Sequence, residues 1–225
     1  MKALLFGSIG TIVETSELQR AAFNQAFAEF ELSWNWSREA YRAMLATSGG
    51  KDRIVHYAEK TGEIVDAKAL HARKSAIFRE TLAQRGIIPR NGTAALAQQA
   101  KAQGLKLGFV SATEQETVEK ICAGLADQGW PAFDCVTSRD AGLPGKPDPA
   151  IYKIALTTLA IVPETTIAIE DNADGVAAAK AAGIYTVGFP GANTRARDLA
   201  ADEIIEDDPV LTLRPHILGD LEETE

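Results

Sequence analysis

Five short runs rich in apolar residues constrain this chain more than any other feature: Ala3–Phe6, Leu105–Val110, Phe133–Val136, Thr166–Ile169 and Tyr185–Phe189. From the second run onward, a helical pattern separates each from the next. Val118, Ile121, Cys122 and Leu125 follow one run at i, i+3, i+4, i+7; Ile151, Ile154 and Ala155 follow another; Gly175, Ala178, Ala179 and Ala182 follow a third. Strands that are apolar throughout, alternating with amphipathic helices, predict a parallel sheet covered on both faces. The expected fold class is α/β, with a doubly wound, Rossmann-like parallel-sheet core.

The first run breaks that cadence, because nearly a hundred residues separate it from the second. The intervening stretch reads as helices. Phe23, Ala26, Phe27 and Phe30 form one apolar stripe, and further helical patterns cover roughly Arg38–Ala46, Arg53–Lys60 and Ala67–Gln84. Ser16 and Ser37 are expected N-caps, and Gly62 and Gly86 expected stops. The predicted organisation is therefore a core of residues 1–14 and 89–225 with an all-helical cap domain, residues 15–88, inserted after the first strand. Trp34 and Trp36 are expected to pack within that cap. The acidic end, Glu222–Glu225, is expected to be a solvated tail.

Composition excludes several classes of function. Of 225 residues, 46% are hydrophobic and 24% charged, which is ordinary globular usage rather than disorder or a coiled coil. A formal net charge of −8 argues against nucleic acid as a partner, since phosphate backbones attract basic faces. The N-terminal apolar run is interrupted by Ser8 and Thr11 and closed by Glu14, unlike a signal peptide. No stretch approaches the roughly 18 apolar residues of a membrane span. Cys122 and Cys135, with His56, His71 and His216, show no zinc-ligand spacing. Two cysteines in a chain of this length fit a reduced, cytoplasmic protein.

In a doubly wound sheet, ligands bind beyond the carboxyl ends of the strands. Four such ends carry informative residues: Gly7-Ser8-Ile9-Gly10-Thr11, Ser111-Ala112-Thr113, Gly145-Lys146-Pro147-Asp148-Pro149 and Glu170-Asp171-Asn172. A serine hydroxyl with neighbouring amides suits an anion. Lys146 is a cation in a loop stiffened by prolines, with Asp148 and Pro149 positioned to start a helix. Glu170 and Asp171 place two carboxylates at one strand end, a normal arrangement for a hard cation. Taken singly, each of these residues also serves as a cap or a surface charge. Gathered on one edge, they predict a phosphate and cation site.

These motifs resemble the haloacid dehalogenase (HAD) superfamily, and within it the β-phosphoglucomutase-like phosphatases and phosphomutases. The run Glu170-Asp171-Asn172-x-x-Gly175-Val176-x-Ala178-Ala179-x-x-Ala182-Gly183 resembles that family's fourth motif, Gly145–Pro149 its third, Ser111 its second and Gly10-Thr11 the end of its first. The resemblance implies a HAD-type core, a cap that sets substrate choice, Mg2+ as cofactor and a small phosphorylated metabolite, such as a sugar phosphate, as partner. It implies phosphate binding by Ser8, Gly10, Ser111, Ala112 and Lys146, with Asp171 and Glu170 as the remaining metal ligands. In the cap, the loop Ser48–Arg53 offers Gly50, Lys51 and Arg53 as specificity residues; a plain turn with a solvated helix start fits it equally.

The first motif departs from the family pattern Asp-x-Asp-Gly-Thr. Gly7 and Ile9 replace the two aspartates, the first of which would be the nucleophile and a metal ligand, the second the general acid/base. Glycine has no side chain to phosphorylate, and a hard dication normally wants more carboxylate than remains. Strand alternation directs Ser8 away from the side Gly7 faces. The expectation is a phosphatase-like member that binds a phosphorylated metabolite with weak or absent aspartyl-phosphate catalysis, a pseudoenzyme. Two alternatives stay open. One is an active hydrolase using Ser8 or an activated water; the other is a Rossmann oxidoreductase suggested by Gly7-x-x-Gly10.

Overall fold

A computed structural model describes residues 1–45, 49–139, 143–194 and 199–218. The chain divides into two compact units, Met1–Glu14 with Ile88–Glu225, and Thr15–Ile87.

The first unit is built on a six-stranded sheet. Its strands are β1 (Ala3–Phe6), β2 (Lys106–Val110), β3 (Cys135–Thr137), β4 (Thr166–Glu170), β5 (Tyr185–Gly188) and β6 (Glu203–Ile204), in the order β3-β2-β1-β4-β5-β6. Every pairing is parallel. All four residues of β1 and all five of β4 are buried, because helices cover both faces of the central strands. On one face Leu5, Val110 and Ala168 pack with α8 (Ala150–Leu159) and α9 (Ala173–Ala181) through Ile151, Tyr152, Ala155, Ala178 and Ala179. Alternation sends Phe6 and Phe109 to the other face, where Phe6 meets Trp130 at 5.8 Å and Phe109 stacks on Phe133 at 5.6 Å. There α6 (Thr93–Ala102) packs on β1 and β2.

The five apolar runs are the five long strands to within two residues at each end. The sixth strand carries no apolar run: Glu203-Ile204 is two residues long and half-buried at the sheet's edge, so it left no signal. Ile154 corrects the α8 stripe, because it is 39% exposed while Ile151 and Ala155 are buried.

The second unit comprises α2 (Ser16–Glu29), α3 (Arg38–Met44), α4 (Gly50–Thr61) and α5 (Ala67–Arg85). Its centre is aromatic. Trp36, 1% exposed, lies 4.8 Å from Phe23, 4.7 Å from Phe27 and 5.4 Å from Tyr57. Asn24 pins the Trp36 backbone in both directions, accepting from its N–H at 2.8 Å and donating to its carbonyl at 3.1 Å. Trp34 Nε1 donates to Glu63 Oε1 at 2.9 Å. Ser37 caps α3 through Ala40 N, and Gly62 and Gly86 end α4 and α5 as expected. Ser16 is instead the first residue of α2, after Thr15. Phe30 falls off the stripe, exposed at the helix end. Ala46 and the acidic end Glu222–Glu225 lie outside the described residues.

Candidate active site

The carboxyl ends of β1, β2 and β4 converge with the loop before α8, and the group at their centre is Lys146. Its ammonium lies 2.5 Å from Glu170 Oε1 and 3.1 Å from the Val110 carbonyl, and it also donates to the Gly7 carbonyl. An ammonium has three donors, and these acceptors use all three. The Tyr152 hydroxyl donates to the same Glu170 oxygen at 2.6 Å. Glu170 is wholly buried, and its other oxygen, Oε2, has no hydrogen-bond partner among the described residues. Burial raises the Glu170 carboxyl above the ordinary carboxylate range, against the pull of Lys146. Burial likewise pushes the Tyr152 hydroxyl well above its usual value, with the Glu170 charge adding to it.

Two glycines make room for this carboxylate. A Cβ on Gly7 would fall on the Tyr152 hydroxyl and on Glu170 Oε1, and a Cβ on Gly175 would fall on the Glu170 carboxyl from the α9 side. The space that a side chain at position 7 would need is therefore already filled. Ile9 is 5% exposed and contributes packing.

Ser8 faces a different partner. Its hydroxyl donates to Asp171 Oδ1 at 2.6 Å and accepts from Thr11 N at 3.2 Å, closing a capping box on α1 (Ile9–Ile12). Asp171 Oδ1 also accepts from Asn172 Nδ2 at 2.8 Å, and Oδ2 takes up the space a Cβ on Gly10 would need. The Gly10 carbonyl accepts from Arg90 Nη1 at 3.0 Å. Ser111 is 1% exposed and its hydroxyl accepts from Thr113 N at 3.2 Å; Ala112 beside it is half-buried. Asp148 accepts from Ala150 N at 2.8 Å, fixing the start of α8 behind Lys146.

Sequence reasoning missed two residues here. Arg90 donates to the carbonyls of Gly10, Phe189 and Pro190 at 2.7–3.0 Å, tying the turn after β1 to the end of β5. Nothing in the sequence marks Tyr152, which lies within α8, except the missing side chain at Gly7, a sign that something else must fill the space.

In the helical unit, Ser48 lies outside the described residues. Gly50 opens α4 against His71, where a Cβ would press on the imidazole, and Lys51 is exposed. Arg53 is half-buried, its Nε donating to the Met44 carbonyl at 3.1 Å and its guanidinium 5.5 Å from the Tyr41 ring centre. Burial lowers the Arg53 pKa and raises Tyr41 to about 12.

A parallel sheet in this strand order, with a serine, a lysine and paired acids at its carboxyl edge, defines a doubly wound α/β protein with its ligand site at that edge. The chain belongs to the haloacid dehalogenase-like hydrolases: the model of that family matches residues 9–189. It is 38% identical over 216 residues to Protein CbbY of Cereibacter sphaeroides, covering 92% of each chain. Over 200 residues it is 27% identical to a phosphorylated carbohydrates phosphatase of Thermotoga maritima, covering 83% of this chain and 84% of that one. Crystal structures of CbbY from Rhodobacter sphaeroides, one in complex with phosphate and one a mutant in complex with xylulose-(1,5)bisphosphate, superpose with a TM-score of 0.81 at 34% identity, covering 92% of this chain and 94% of those.

The dinucleotide alternative loses its footing at this point, because Gly7-x-x-Gly10 opens a helix of only four residues, Ile9–Ile12.

The family generally uses Mg2+, and the residues present do not fit it. Magnesium demands near-octahedral oxygen ligands and is held through carboxylates. Position 7 supplies none, Glu170 Oε1 is taken by Lys146 and Tyr152, and Asp171 Oδ1 is taken by Ser8 and Asn172. The Lys146 ammonium already provides the counter-charge a dication would supply. Among the described residues no group of three or more His, Cys, Asp or Glu could hold a metal. No helix there is long and apolar enough to cross a membrane.

Proposed function

We propose that this chain binds a small phosphorylated metabolite, a sugar phosphate or bisphosphate, without hydrolysing it through an aspartyl-phosphate. One observation carries the reading: the place of a nucleophile beside Gly7 is filled by the Tyr152 hydroxyl and the Glu170 carboxylate. The CbbY complexes with phosphate and with xylulose-(1,5)bisphosphate support the ligand class. The binding set is Ser8, Gly10, Ser111, Ala112 and Lys146, with Gly50, Lys51 and Arg53 selecting the sugar. A phosphoryl oxygen reaches Lys146 only by displacing one of its three acceptors, so binding is weaker than at an open lysine. Cys122 and Cys135 are free thiols, in keeping with a cytoplasmic protein.

A second reading rests on Ser8, whose hydroxyl points its proton at Asp171 Oδ1 across 2.6 Å, the geometry of a nucleophile and its base. Phosphate release from xylulose 1,5-bisphosphate and a sugar-phosphate panel, with and without Mg2+, decides between them. Calorimetric titration of the same compounds tests binding. The expected result is saturable heat with no release above background. Turnover abolished by Ser8→Ala establishes the second reading, and absence of heat from every compound removes the binding half of the first.

A further inference from the structure

The disagreement between this site and a divalent cation has a structural origin that can be followed to one residue. Glu170 Oε1 lies from the ideal Cβ of Gly7 at the separation an aspartate oxygen keeps from its own Cβ. A carboxylate oxygen is thus present beside β1, although β1 does not provide it. It reaches there from β4, and two groups keep it there: Lys146, whose side chain is 6% exposed, and Tyr152, which is fully buried.

We propose that Glu170, held by Lys146 and Tyr152, has taken the place of the carboxylate that β1 lacks, with Lys146 as its counter-ion instead of a divalent cation. This deepens the reading of a non-hydrolysing site and names Tyr152 as its positioning residue. Each part depends on the others. Without a side chain at position 7 there is room for the Tyr152 hydroxyl. The hydroxyl and the ammonium both converge on Oε1, which turns that oxygen away from any ion. Oε2 is left buried and unpartnered beside Gly175. A carboxylate in that position stabilises the lysine but presents no atom to a phosphoryl group from the solvent side.

The test uses the full chain and two measurements. The first is a double-mutant cycle of Gly7→Ala and Tyr152→Phe on the melting temperature. Gly7→Ala is expected to lower it by several degrees, and the pair to lie above the sum of the single losses, because removing the hydroxyl relieves the nearest of the contacts the added methyl meets, the others being with the Glu170 carboxyl. Additive losses, or a Gly7→Ala protein as stable as wild type, overturn the proposal. The second is Mn2+ binding followed by electron paramagnetic resonance, which needs no turnover. Wild type is expected to leave the free-ion spectrum unchanged, and Gly7→Asp with Tyr152→Phe to bind at least tenfold more tightly. Mn2+ binding by wild type that Glu170→Gln abolishes overturns the proposal, as does equal affinity in wild type and the pair. Should the aspartate pair fail to fold, the alanine cycle and the wild-type spectrum still decide. Neither measurement involves a phosphorylated ligand. Sugar-phosphate turnover by wild type would therefore sink the proposed function while leaving this result standing.

Discussion

The Tyr152 hydroxyl donates to Glu170 Oε1 at 2.6 Å directly over the bare Cα of Gly7, so a residue of α8 and a residue of β4 together fill a space that β1 leaves empty. A position without a side chain is thereby not an empty one. The neighbouring side chains fill the space beside Gly7, so a carboxylate introduced there needs room made for it.

Gly7→Asp with Ile9→Asp is accordingly expected to show no Mg2+-dependent phosphate release. The new carboxylate at position 7 would meet Tyr152, and the one at position 9 would be buried in place of an apolar side chain. Overpacking of this kind costs about 1–3 kcal/mol, and a misplacement of about 1 Å is enough to ruin preorganisation. Steady-state phosphate release from the double variant, compared with the same variant carrying Tyr152→Phe, checks this; turnover by the double variant alone contradicts it.

Lys146→Ala is expected to destabilise the fold by about 3–5 kcal/mol, because it strands the Glu170 carboxylate without its partner in a buried site. Lys146→Met combined with Glu170→Leu is expected to recover most of that loss, since replacing both members of a buried pair by apolar residues is often near neutral. Urea denaturation of the three proteins gives the comparison. A single variant as stable as wild type would show that the pair contributes nothing.

Arg90→Lys should cost about 1.5–3 kcal/mol. The guanidinium serves three carbonyls from a rigid fork that an ammonium cannot reproduce, and it also stacks on the Phe189 ring. Hydrogen exchange should report faster opening of the turn around Gly10 and of the segment after β5. Unchanged exchange in both would argue that Arg90 is dispensable to the site's edge.

Ser8→Ala removes the cap of α1 and the hydroxyl that holds Asp171. The expected loss is about 1 kcal/mol, the usual cost of an N-cap, read as a shift of the urea midpoint without a change of slope.

Acid should weaken the pairing of β2 with the segment before β3. Asp134 Oδ2 accepts from Leu107 N at 2.7 Å and from Lys101 Nζ at 2.6 Å. Partial burial pushes its pKa up, but the Lys101 and Leu107 hydrogen bonds outweigh that and hold it below the ordinary aspartate value. A carboxyl lowered by folding contributes stability above its unfolded pKa, near about 3.9, and loses it as the pH falls through the folded value. The side chain is 36% exposed, so screening limits the contribution to about 0.5 kcal/mol. Stability measured from pH 6 downward should therefore fall slightly more steeply in wild type than in Asp134→Asn; parallel curves would remove the assignment.

How much of this was legible beforehand differs from element to element. The central strands β1 and β4 were readable because they are buried on both faces, and burial on both faces demands an unbroken apolar run, while β2, β3 and β5 kept enough of such a run to show. The helical insert was readable because its aromatic stripe repeats at helical spacing and its ends carry Ser37, Gly62 and Gly86. That positions 7 and 9 carry no carboxylate was legible from Gly7 and Ile9 alone, since a residue type decides what chemistry a position can perform. The edge strand Glu203–Ile204 was not, because two half-buried residues require no pattern.

Which groups fill the space beside Gly7 was decided by tertiary structure. Ser8, Ser111, Lys146 and the adjacent pair Glu170 and Asp171 come from separate stretches of sequence, and the strand ends bring them to one edge without saying which partner each takes. Lys146 could have faced either acid; the fold gives it Glu170, because Tyr152 approaches from α8 and directs that carboxylate toward Gly7, while Ser8, one residue on along the backbone, turns the other way to Asp171. The sequence by itself determined the sheet, the insert and the absence of a carboxylate at positions 7 and 9, since these follow from local pattern and residue identity. The choice of partners among buried charges depends on distances of a few tenths of an ångström between side chains from different elements, and only the packed molecule sets those.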